Sequence, residues 1–109
     1  MVDQEIKRIV LEYVQLLLKE GFPVKRAILY GSRVRGDSTE SADIDLALII
    51  EGLQRTDFET KRTLSRLASR IDERLEPVAY SPEDFEKDNW LPLLYSIRNT
   101  GIEIELKIN

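Results

Sequence analysis

Gly31-Ser32-Arg33-Val34-Arg35-Gly36-Asp37-Ser38-Thr39-Glu40-Ser41-Ala42-Asp43-Ile44-Asp45 runs straight into Leu46-Ala47-Leu48-Ile49-Ile50. One apolar run ends at Gly31-Ser32, and a second begins at Asp43-Ile44-Asp45. The polar, glycine-punctuated segment between them reads as a short helical turn that opens into a loop. Residues 43–50 read as a strand that is apolar on both faces beyond Asp45. Such a strand suits the centre of a sheet covered by helices. Residues two apart on a strand point to the same face, so Asp43, Asp45, Ala47 and Ile49 share one. Two neighbouring carboxylates at the margin of a core cannot both stay ionised without a strong cation nearby. A divalent ion such as Mg²⁺, which takes oxygen ligands, meets that need. The bland alternatives are an arginine partner for Asp45, from Arg33 or Arg35, and a loop-closing turn role for Asp43.

The Gly-Ser unit suits phosphate. Glycine lets the backbone approach a ligand closely. Ser32 brings a hydroxyl to the point where a helical turn begins, and Arg33 and Arg35 add forked cations that match phosphate oxygens. Taken alone, Gly-Ser is common loop punctuation, and only the acidic pair downstream gives it weight. Glu76, near the start of a later strand and in phase with Val78 and Tyr80, is the candidate third carboxylate for an octahedral oxygen site.

Outward from this stretch, residues 3–20 carry Ile6, Ile9, Val10, Tyr13, Leu16 and Leu17 at helical spacing, with Asp3 as N-cap and Gly21 and Pro23 as stops. Residues 24–30 form a short strand. Thr56-Asp57-Phe58-Glu59 is a capping-box pattern that opens a long helix to about Arg74, with Leu64, Leu67, Ala68 and Ile71 facing the core. Asp72 and Glu73 then face solvent at its end. Arg62, Arg66, Arg70 and Arg74 stand four apart; the row reads as a grip for an acidic partner or RNA or as a solvated face paired with Glu59 and Glu73, and the negative net charge favours the solvated face. Residues 75–80 form a third strand, with Pro77 marking an edge or a strand end. Pro82 opens a helix, or two helical pieces, over 82–99, interrupted near Trp90-Leu91-Pro92. Trp90, Leu91, Leu93, Leu94 and Tyr95 read as core packing, with docking of a partner by part of the patch as the alternative, and Tyr13, Tyr30, Tyr80 and Tyr95 as core or half-buried positions. Residues 102–108 alternate strictly and suit a terminal strand. The whole is an α/β arrangement of a short mixed sheet packed by helices.

The bulk numbers narrow the chemistry. A chain of 109 residues suits one domain, residues 1–109, with no room for a separate substrate domain. A formal net charge of −4 argues against a long nucleic-acid partner, which would want a basic surface. With no cysteine and no histidine, disulfides, thiolate chemistry, His-ligated zinc and a His general base are all excluded. Carboxylates are left as the charged metal ligands. No apolar stretch reaches membrane-spanning length and the N-terminus is polar and acidic, so a cytoplasmic location is the expectation.

Gly31-Ser32, ten intervening residues and then Asp43-x-Asp45 resemble the signature of the DNA polymerase beta-like nucleotidyltransferase superfamily. The wording Gly-Ser-Arg-Val-Arg-Gly and the small size are similar to the minimal nucleotidyltransferases, many of them antitoxins of two-gene HEPN/MNT toxin–antitoxin pairs. The resemblance implies the polymerase-beta-like fold and Mg²⁺-dependent nucleotidyl transfer, with two ions and with Mn²⁺ as a substitute. It implies Asp43, Asp45 and Glu76 as catalytic and metal-binding residues, and Gly31, Ser32, Arg33 and Arg35 as nucleotide-binding ones. In the family the third acid is usually an aspartate; Glu76 stands in that place here. The implied reaction is a type VII-like antitoxin transferring AMP from ATP to a tyrosine hydroxyl of a HEPN ribonuclease toxin. Two other readings remain: a weak or inactive module that neutralises its partner by contact, and transfer to a small molecule such as an aminoglycoside, for which a homodimer would supply the acceptor pocket.

Overall fold

Asp3 starts the first helix, α1 (Gln4–Lys19), by accepting the Glu5 amide at 2.8 Å. That bond satisfies one of the free amides of the first turn. The computed structural model describes residues 2–36, 38–87 and 91–106. After α1 come β1 (Val24–Tyr30), α2 (Ser32–Arg35), β2 (Ile44–Ile50), α3 (Phe58–Ile71), β3 (Leu75–Tyr80), α4 (Pro82–Lys87), α5 (Pro92–Thr100) and β4 (Ile102–Ile104).

The strand order is β3-β2-β1-β4. β1 runs antiparallel to both β2 and β4, whereas β2 and β3 are parallel, so the sheet is mixed. The parallel pair is joined by α3, since parallel neighbours need a long crossover. β2 has strands on both sides, and Leu46 to Ile50 are all buried, as the unbroken apolar run requires. Pro77 lies on the edge strand β3, where a missing amide costs the ladder least.

Each sheet face has its own core. Ile44, Leu46, Leu48 and Ile50 of β2 pack with Ala27 and Leu29 of β1 under α1 and α3. Ala47 and Ile49 pack with Ile28 against Phe85 of α4 and Leu94 and Ile97 of α5. Each fully buried side chain of this kind contributes roughly 1.5–3 kcal/mol, which is what makes these helices stable in place.

Tyr13 is fully buried between α1 and α3, and its hydroxyl donates to the Leu64 carbonyl oxygen at 2.7 Å. Burial alone pushes this phenol far above its ordinary range. Tyr13→Phe removes the bond while keeping the packing, so it should cost about 1 kcal/mol in urea unfolding at an unchanged m-value. An unchanged stability would show that the bond contributes nothing net.

Several expectations shift. The α3 cap is Asp57, one residue inside the capping-box reading: its carboxylate accepts the Thr60 amide at 3.0 Å and the Thr60 hydroxyl at 2.7 Å. α3 ends at Ile71, because Asp72 is extended (φ −162°, ψ 128°). Arg74 therefore leaves the arginine row, and Asp72 turns back to pair with it at 2.9 Å instead of facing solvent. Arg62 does pair with Glu59, at 3.3 Å on an exposed face. Over 82–99 the second of the two expected alternatives holds: two helical pieces, α4 and α5, with Leu91 and Pro92 at the start of the second. Trp90 lies outside the described residues. Leu94 is buried, but Leu93 and Tyr95 are exposed, at 43% and 61%, so the dense apolar segment is only partly core. Tyr30 and Tyr80 are half-buried. The terminal strand stops at Ile104, and Lys107 and Ile108 lie outside the described residues. Among the described residues, no helix is long and apolar enough to cross a membrane.

Candidate active site

β1 delivers Tyr30 and Gly31 to one end of the sheet, and β2 starts there in the opposite direction. Asp45 is the second residue of β2, and its neighbours in register are Tyr30 on β1 and Glu76 on β3. Paired positions in adjacent strands project to the same face. Tyr30, Asp45 and Glu76 therefore form one row across three strands. It lies on the face that also carries Ala47, Ile49 and Val78, where the sheet emerges from beneath α4 and α5.

Gly31 follows directly. Its backbone (φ 78°, ψ −150°) belongs to a region that L side chains rarely adopt. A Cβ there would overlap a carboxylate oxygen of Asp45 and lie 3.2 Å from its Cγ and 3.3 Å from its Cβ. The bare glycine is thus required twice, by its dihedral angles and by the acid packed against it. Ser32 opens α2, a single helical turn whose Val34 and Arg35 amides return to the Gly31 carbonyl at 3.1 Å each. Gly36 closes that turn in a left-handed conformation (φ 83°).

The electrostatics agree with this crowding. The Asp45 carboxyl is raised above its ordinary value by burial first and then by the Asp43 charge, with Arg35 opposing. Arg35 is accordingly near enough to matter. The Tyr30 phenol is pushed up to about 12, by burial first, then by the charges of Asp45, Tyr80 and Glu76. These groups therefore share one electrostatic neighbourhood.

Asp43 sits one residue before β2, on an exposed loop and not in the strand as expected. Glu76 is exposed beside Asp45. Among the described residues, however, no three acidic side chains close into a metal cage. The donor set still fits a hard ion. Mg²⁺ is commonly held by one or two carboxylates, with substrate phosphates and water filling the rest.

Arg33, expected at the nucleotide, reaches the neighbouring loop. Its Nη2 donates to the carbonyl oxygens of Glu40 at 3.1 Å and Ala42 at 2.6 Å, so its guanidinium holds the loop before Asp43. Sequence reasoning misses Tyr30 as a neighbour of the acids and Arg74 as a second grip on the same loop. The adjacency Tyr30-Gly31 is a usable signal for the first. The folding of Arg74 back onto residue 40 has no local signal.

A relative from Methanocaldococcus jannaschii described as "Putative protein adenylyltransferase" is 26% identical over 103 residues, covering 92% of this chain and 99% of that protein. Among solved structures, a "putative nucleotidyltransferase" from Sulfolobus solfataricus superposes with a TM-score of 0.63 at 14% identity, over 91% of this chain and 78% of that one. A toxin–antitoxin crystallised with AMP-PNP superposes with a TM-score of 0.59 at 20% identity, over 88% and 73%. At these identities the two structures speak to the fold. The family described as "Polymerase beta, Nucleotidyltransferase" matches residues 12–105, which takes in β1, the Gly-Ser turn, both aspartates and Glu76. The chain belongs to that family and is a nucleotidyltransferase.

Proposed function

We propose that this protein transfers AMP from ATP to a tyrosine hydroxyl of a HEPN-type toxin, with Mg²⁺, and so acts as its antitoxin. The observation that carries the proposal is the glycine held bare against Asp45, with Asp43 and Glu76 at its sides. A bare backbone next to a crowded acidic pair leaves room for a triphosphate and has a use for its cation. The adenylyltransferase relative supports protein as the acceptor, and the toxin–antitoxin neighbour supports the kind of partner.

In this reading Gly31 lets the phosphate chain lie close to the backbone, and the Ser32 hydroxyl bonds a phosphate oxygen. Asp43 and Asp45 would hold Mg²⁺, which supplies neutralisation of the phosphoryl charge when bound. Arg35 balances the remaining charge beside Asp45. The acceptor oxygen attacks the α-phosphorus in line. Its new O–P bond forms as the bond from the α-phosphorus to the bridging oxygen breaks, and pyrophosphate leaves with that electron pair. The hydroxyl proton passes to a carboxylate oxygen of Glu76, the exposed acid of the row, since the chain has no histidine to take it. Most of the catalysis is positioning and charge neutralisation.

Incubation of the purified protein with ATP, Mg²⁺ and its genetic neighbour's product should add one AMP to that partner, read by intact mass. A partner that is neutralised without any mass gain, across several nucleotides and metals, would establish the contact-only module instead. Transfer to a small molecule with the partner left unmodified would move the acceptor class.

A further inference from the structure

Asp43 lies on an exposed loop ahead of β2, so its carboxylate is only as well placed as that loop. Two arginines from distant parts of the chain grip it. Arg74 Nη1 donates to the Glu40 carbonyl oxygen at 2.9 Å. Arg33 Nη2 donates to the same oxygen at 3.1 Å and to the Ala42 carbonyl oxygen at 2.6 Å. Beyond Asp43, the Ile44 amide donates to the Arg74 carbonyl oxygen at 2.7 Å. Residues 40, 42 and 44 are thus all tied, and Asp43 is held between the last two.

Arg74 is itself anchored. Its Nε and Nη2 donate to the two carboxylate oxygens of Asp72 at 3.0 Å and 2.9 Å, a planar fork on a planar acceptor. Its Nη2 also reaches Glu5 on α1 at 3.3 Å. The Asp72 side chain is only 19% exposed, so the pair is not an ordinary surface contact. Asp72 is held below the usual carboxylate range, first by its hydrogen bond from Arg74, with Arg33 contributing too, which places the three groups together.

We propose that Arg74, locked by Asp72, and Arg33 are positioning residues that brace the 38–43 loop and thereby set Asp43 for the metal–nucleotide site. This rests on the function proposed above. Neither arginine needs to touch substrate. Partners that orient a metal-ligating side chain typically govern about ten- to a hundredfold in metal affinity.

The experiment compares wild type with Arg74→Gln, Arg74→Lys and Asp72→Asn, with Arg70→Gln on the exposed face of α3 as control. Two readouts are taken below the unfolding transition of each variant. Amide exchange in metal-free protein should speed up about tenfold or more at Ala42 and Ile44 in Arg74→Gln, and stay unchanged in the middle of α1. Mn²⁺ affinity, measured calorimetrically with a non-hydrolysable ATP analogue, should fall about tenfold in the same variant. Arg74→Lys should recover little of either, because an ammonium cannot reproduce the fork. Should Arg74→Gln fail to fold, Asp72→Asn carries the same expectations in the same direction. Unchanged exchange at Ala42 and Ile44 would overturn the brace. Faster exchange with unchanged Mn²⁺ affinity would overturn its link to Asp43. A wild type that binds no Mn²⁺ with the nucleotide would overturn the proposed function and that link, while exchange would still decide the brace.

Discussion

Asp45→Asn should abolish nucleotidyl transfer, by about a thousandfold or more, and leave the metal-free protein at least as stable as wild type. A thousandfold corresponds to about 4 kcal/mol of transition-state stabilisation, the scale expected when charge neutralisation on the phosphoryl oxygens is lost. The stability half of the expectation comes from the same geometry. In the fold the Asp45 carboxyl is raised above its ordinary value, by burial and by Asp43. A raised acid is less comfortable ionised in the folded chain than in the unfolded one, so its charge opposes folding at neutral pH. A neutral, isosteric amide removes that opposition. Single-turnover transfer and thermal unfolding check the two halves together. Unchanged transfer would mean that the reacting phosphate is held elsewhere. Lost transfer with a large drop in stability would mean that Asp45 is a structural acid.

Gly31→Ala should be nearly as damaging and for a different reason. The dihedral angles of Gly31 are close to glycine-only, which costs about 1–3 kcal/mol for any other residue. The new methyl would also be driven into the Asp45 carboxylate. We expect transfer to fall at least about a hundredfold, since small misplacements in a site of this kind cost that much. Gly36→Ala is the matched comparison. Gly36 also has a positive φ, of 83°, yet a Cβ there would meet nothing within 4 Å. It should lose about 1–2 kcal/mol of stability and keep most of its activity. Parallel losses of activity in the two variants would show that backbone strain alone, and not the contact with Asp45, is at work.

Much of this architecture is legible in the amino-acid sequence. The helical spacing of Ile6, Ile9, Val10, Tyr13 and Leu17 marks the buried face of α1, because that face packs on the sheet as amphipathic helices do. The apolar run after Asp45 announces a central strand, and β2 is one. Pro77 announces an edge or a strand end, and β3 is an edge strand. The phase of Glu76 with Val78 and Tyr80 puts it on the sheet face that Asp45 shares. That it falls opposite Asp45 depends on the register of a parallel pair joined through a helix, which no local pattern fixes.

The features that the sequence hides are long-range, or turn on a single residue. Arg74 is four residues beyond Arg70 and so continues a helical pattern. Asp72 breaks the helix by turning extended and taking the Arg74 fork, and the guanidinium then reaches the Glu40 carbonyl oxygen and Glu5 across the fold. Arg33 sits inside a phosphate-binding pattern, but two loop carbonyls claim its guanidinium. Tyr95 falls at helical spacing, yet α5 is short and turns only Leu94 and Ile97 inward, so Tyr95 is left outside.

Crystals grown or soaked with a non-hydrolysable ATP analogue and Mn²⁺ give the most direct test, through anomalous scattering from the ion. A Mn²⁺ peak is expected in contact with the carboxylates of both Asp43 and Asp45, with the triphosphate against Gly31 and Ser32. Nucleotide bound at another face, or saturating Mn²⁺ with no peak at those two aspartates, would contradict it.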